Sequence, residues 1–156
     1  MKKNTAISKI KENSTAMSVL MAILGLLCLA GAALGLGDSL YHSTFSEKKE
    51  EIASLLGTGL VFAACAFIAS LIFRKISNTG TPFSDTSVNG LKNISFLLFI
   101  GSFLPNILLT IFCGKHSTIN NSFIEISMLI PAVIIFCIAE AFNYGVMLQQ
   151  ESDETL

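Results

Sequence analysis

The residues in this chain that could do chemistry are few and scattered. Four cysteines (Cys28, Cys65, Cys113 and Cys137) stand far apart with no CxxC spacing, and the two histidines, His42 and His116, fall in different segments. A metal site needs such ligands clustered, and a reactive thiol needs an electropositive, accessible setting. Neither pattern is present, so the sequence predicts no metal and no cofactor. HExxH, GxSxG and phosphate-loop spacings are also missing, and the chain reads as a non-enzyme. The most conspicuous titratable group is Glu140, which interrupts an apolar stretch, with Asn143 three residues on and therefore on the same helical face. A carboxylate inside a membrane helix is a candidate proton or cation site. One near water is instead a structural partner for a neighbouring base, here Arg74, Lys75 or Lys92.

The elements that must position these groups follow from where charge is missing. Only 13% of the residues are charged, 52% are hydrophobic, mean hydropathy is +0.67 and the formal charge is −1. A soluble domain carries about a quarter charged residues, and a nucleic-acid binder shows a basic stripe. An ordinary soluble globule, a disordered chain and direct nucleic-acid binding are all disfavoured. Uncharged runs cover residues 13–37, 52–73 and 93–114. Each is long enough for a helix to cross the hydrocarbon core, which takes about 20 residues. A fourth, shorter uncharged run at 126–139 continues apolar past Glu140. The predicted fold is all-α: a polytopic, four-transmembrane-helix bundle with spans at about 15–37, 52–73, 93–114 and 123–145 and a tail at 146–156. Apolar–polar alternation, the mark of a barrel strand, is lacking.

Orientation follows from the bases. Lys2, Lys3, Lys9 and Lys11 precede the first span and Arg74, Lys75 and Lys92 lie between the second and third, against Lys48, Lys49 and Lys115 in the other two loops. Both termini and the middle loop are therefore expected in the cytoplasm. The first span, with Ala30-Gly31-Ala32 inside it, has features of a secretory signal, but its apolar run is longer than a signal's. It is expected to be retained. A single arginine among ten basic residues suits an AT-rich bacterial genome and a bacterial inner-membrane location.

Packing devices are visible within the spans. Gly31 and Gly35 form a GxxxG pattern, and Gly59, Ala63, Ala66 and Ser70 place small residues on one face of the second span. Such faces let backbones approach, either between spans of one chain or between two chains as a homo-oligomer. Pro105 and Pro131 each remove a helical hydrogen bond. Either they frame an outward cavity lined by Asn106, or neighbouring groups satisfy the freed carbonyls.

The expected cytoplasmic face has the clearest local grammar. Gly80-Thr81-Pro82 is a turn signal, Ser84 or Asp85 can cap a following helix, and Phe83 stands where a hydrophobic staple would. The other side of this face is Ile138-Ala139-Glu140-Ala141-Phe142 with Asn143, Tyr144 and Gly145. It is followed by an acidic tail through Gln149, Glu151, Asp153 and Glu154. Gly80-Thr81-Pro82-Phe83-Ser84, Val88-Asn89-Gly90-Leu91-Lys92 and this last segment resemble a family of small bacterial four-span membrane proteins of unknown function. The resemblance implies a frequent neighbour, a Cro/repressor-type helix-turn-helix regulator, and supplies no catalytic residues. A basic residue is common in that family where this chain has Asn143. The candidate partner-binding residues are Pro82, Phe83, Asp85, Glu140, Asn143, Tyr144, Gln149, Glu151, Asp153 and Glu154. Three functions remain: a regulatory protein that holds a cytoplasmic partner, an immunity protein against a membrane-active peptide, and a small transporter using Glu140. The bilayer is the partner common to all three.

Overall fold

A computed structural model describes residues 2–41, 49–113 and 126–154. All regular structure among them is helical: α1 (Lys2–Tyr41), α2 (Lys49–Thr79), α3 (Asp85–Gly101), α4 (Leu104–Cys113) and α5 (Ile126–Glu154). Three stretches are long and apolar enough to cross a membrane: Ile7–Asp38, Ile52–Thr79 and Ile126–Ser152. The helices outrun the uncharged segments at several ends, because charge marks where lipid stops while the backbone hydrogen-bond ladder continues into water.

The segment expected as one span at 93–114 is in two pieces. Its helix begins early, at Asp85, and α3 stops at Gly101. The Ser102 N–H donates to the Leu98 and Phe99 carbonyls, and the Phe103 N–H to that of Ile100. The Ser102 hydroxyl takes up the Phe99 carbonyl at 2.7 Å. Pro105 is the physical reason for the break. It cannot donate to the carbonyl four residues back at Gly101, but in the first turn of α4 its missing N–H costs nothing. Pro131, by contrast, lies inside an unbroken α5. Pro105 is buried against Gly57 of α2; a Cβ added at Gly57 would lie 3.3 Å from the proline ring.

The helices lie in a row in chain order. Among the described residues α1 packs on α2 alone and α5 on α3 alone, while α2 is flanked by α1 on one side and by α3 and α4 on the other. A closed four-helix bundle would give each outer helix a second neighbouring helix, and among the described residues neither has one. Three contacts run antiparallel down α2: Gly57 with Pro105, Val61 with Gly101, and Ile72 with Gly90. The broken segment thus follows α2 along its length. Buried side chains of α2, α3 and α5 (Val61, Cys65, Ile72, Ile94, Leu98, Met128) form the core.

The α1–α2 seam is built from small residues. Ser18 and Ser70 exchange hydrogen bonds reciprocally, each hydroxyl donating to the other's carbonyl at 3.0 and 2.9 Å. Thr15 and Ser77 share a 2.6 Å hydroxyl contact. A Cβ on Gly25 would sit 3.4 Å from the Ala63 carbonyl oxygen, and one on Gly59 would sit 3.2 Å from the Ala32 Cβ. The small residues of the second span therefore serve a contact within the chain. Gly31 of the GxxxG pattern stays out of the seam, since a Cβ there would meet nothing within 4 Å. The seam runs instead through Ser18, Gly25 and Ala32, a seven-residue spacing that keeps one helical stripe facing its partner.

Candidate functional site

The end of the molecule carrying both terminal helix ends also carries the turn at residues 80–84, and the candidate residues converge there. Gly80 ends α2 in the left-handed region, φ 76°, with its N–H donating to the Ile76 carbonyl at 2.7 Å. That is the αL cap for which glycine is suited. Thr79 closes its own turn by donating to the Lys75 carbonyl at 3.0 Å. Ser84 then opens α3 from an extended conformation, its hydroxyl accepting from the Ser87 N–H at 3.3 Å. Of the two caps the sequence offered, Ser84 is the one used, and Asp85 occupies the exposed first turn, where a carboxylate favours the helix dipole.

The turn touches both outer helices of the row. A Cβ on Gly80 would lie 3.1 Å from Ile7 and from Lys11 of α1. On the opposite side the Phe83 ring rests on Phe142 of α5, with centroids 5.1 Å apart and planes tilted by 47°. A Cβ on Gly145 would meet that same ring at 2.9 Å. Phe83 therefore packs on α5, where the sequence had offered its own helix through a staple. The turn joins α1 and α5, which otherwise do not meet among the described residues.

One helical turn before Phe142's neighbours, Glu140 pairs with Lys92 at 2.8 Å. Asn143 adds a side-chain hydrogen bond to the same carboxylate. Lys92 is the partner among the three bases expected; Lys75 instead donates to the Thr86 hydroxyl at 2.8 Å. The pair is about half exposed, with side-chain accessibilities of 37% for Lys92 and 46% for Glu140. An exposed pair of this kind contributes little to stability, and its geometry suits fixing the register of α5 on α3.

Of the remaining candidates, Pro82 is half-buried in the turn, and Tyr144, Gln149, Glu151 and Glu154 are exposed along α5. The structure brings Phe83, Phe142, Gly145, Glu140, Asn143 and Lys92 together, whereas Gln149 to Glu154 continue α5 beyond them. No basic residue occupies the last turn of α5. Its acidic residues face the negative end of the helix dipole, an arrangement an incoming cation would relieve. The Gly80 contact with α1 had no signal in the sequence beyond the glycine itself. His42, His116, residues 123–125, Thr155 and Leu156 lie outside the described residues, as do the side chains of Cys113 and Asp153.

Residues 41–156 match DUF2975, a protein family of unknown function. That is most of the chain, which therefore belongs to this family. No curated protein and no solved structure matches it.

Proposed function

We propose that the chain is a non-enzymatic, four-span protein of the bacterial cytoplasmic membrane that holds a cytoplasmic regulatory protein. In this reading α3 and α4 together make the third span, and the distribution of lysine and arginine places both termini and the 80–84 turn in the cytoplasm. The observation that carries it is the turn itself. Gly80 against Ile7 and Lys11, and Phe83 against Phe142 and Gly145, gather three distant chain segments into one face. The helical acidic end of α5 projects from that face. A basic partner surface would complement Glu151, Asp153 and Glu154 and the helix C-terminus behind them. A helix-turn-helix regulator, whose DNA-binding face is basic, fits that chemistry, and the acidic tail would compete with DNA for it.

Gentle crosslinking in native membranes, followed by purification and mass spectrometry, tests this. A DNA-binding regulator should co-purify with the full chain and be lost when residues 149–156 are removed. Recovery undiminished by that deletion would remove the tail from the interface, and recovery of the chain alone would end the partner reading. The pairing of Glu140 with Lys92 and Asn143 weighs against a transport role for that carboxylate. Undiminished ion flux in Glu140→Gln vesicles is the expected result.

A further inference from the structure

The α3–α5 pair encloses a groove of about 460 Å³ on one of its faces. Phe96 and Phe99 of α3 and Val133 and Phe136 of α5 form its walls, Ala132 lies deep within it, and Lys92 stands at one end. Its polarity is graded along its length. On α3 the polar residues Asn89, Lys92 and Asn93 give way to an apolar run beginning at Ile94, and on α5 the apolar run ends at Ala139 and Glu140 follows. The two helices thus change character at the same level, marked by the 2.8 Å Lys92–Glu140 pair. From Lys92 to Phe99 the apolar walls extend about 10 Å along the helix axis at 1.5 Å per residue.

We propose that this groove is a binding site for a phospholipid with a zwitterionic, primary-ammonium headgroup. The lipid phosphate sits on Lys92, its ammonium on Glu140, and an acyl chain lies against Phe96, Phe99 and Phe136. Charge complementarity selects this occupant. Lys92, which lines one end of the groove, has the negative Glu140 beside it, and each is still partly exposed while paired. A purely anionic headgroup satisfies Lys92 but is repelled by Glu140. A trimethylated ammonium has no N–H to give the carboxylate, whereas a primary ammonium donates a charge-assisted hydrogen bond. The proposal does not depend on a cytoplasmic partner.

The test is native mass spectrometry of the full chain in detergent, titrated separately with phosphatidylethanolamine, phosphatidylcholine and phosphatidylglycerol of identical acyl chains. The ethanolamine lipid should bind roughly ten- to a hundred-fold more tightly than the other two, the value of one charge-assisted hydrogen bond expressed as affinity. Glu140→Gln and Lys92→Gln should each abolish that preference. The exchanged pair, Lys92→Glu with Glu140→Lys, should restore it, a result that a merely structural ion pair would not produce. Val133→Trp, which fills the groove from an exposed position, should lower occupancy by all three lipids while leaving thermal unfolding unchanged. Equal binding of the three lipids, or a preference that survives Glu140→Gln, would overturn the proposal. So would a photo-crosslinker at position 136 that captures a second copy of the chain and no lipid.

Discussion

The α1–α2 and α3–α5 pairs are both antiparallel, yet they are held together in opposite ways. Along α1–α2, Gly25, Ala32, Gly59, Ala63 and the Ser18–Ser70 exchange bring the backbones close. Along α3–α5 the Ser95 hydroxyl donates to the Ala132 carbonyl at 2.9 Å and Lys92 meets Glu140. Beside these contacts the phenylalanines stand clear enough to leave a groove. Small side chains make a seam whose worth is van der Waals contact over its whole length, the main force available between helices in lipid. Large ones hold the helices apart except at polar fastenings. The first pair is suited to permanence and the second to holding something else.

The comparison breaks most sharply under added bulk. Gly59→Leu should destabilise the chain by about 1–3 kcal/mol, the usual effect of overpacking, because the first added carbon already meets Ala32 at 3.2 Å. Val133→Leu in the groove should be close to neutral in the same thermal unfolding measurement in detergent. Equal losses at the two sites would erase the distinction. Next in size is Gly80→Ala, at about 1–2 kcal/mol for a side chain held at positive φ, with Ile7 and Lys11 against it. It should also loosen the start of α1, read as faster proteolysis near Lys11. A double Ser18→Ala, Ser70→Ala change should cost about 1 kcal/mol, in the range measured for interhelical hydrogen bonds in membranes. If it costs nothing, the small side chains alone make the seam. Smallest is Glu140→Gln, whose exposed pairing predicts almost no change in unfolding temperature; a large drop would make α3–α5 as dependent on its fastenings as α1–α2 is on its packing.

How much of this could be read beforehand depends on the kind of interaction. The uncharged runs at 13–37 and 52–73 locate α1 and α2 because desolvating charge is costly whatever the neighbours are. The cap at Ser84 and the turn at Gly80 are local and were legible for the same reason. Pro105 announced a disturbance, but a proline within a span can bend or break it. The outcome rested on Ser102 supplying alternative bonds and on Gly101 meeting Val61, which no local pattern reports. Likewise Phe83 could be placed beside its own helix or on another. Its choice of Phe142 depends on how α3 lies on α5, and that arises only once the helices are assembled.

The row in which the helices lie is also the order in which they are synthesised. At each stage the newest helix finds its neighbour already made: α2 meets α1, then α3 and α4 meet α2, then α5 meets α3. Contacts between elements close in sequence close quickly, since little chain entropy is lost in forming them. The chain can therefore assemble as it leaves the ribosome without waiting for its end. Two of its fastenings come last: Lys92 on Glu140, and Phe83 on Phe142 and Gly145. A nascent chain stopped short of position 140 would carry the α1–α2 hairpin complete and the last helix unlatched.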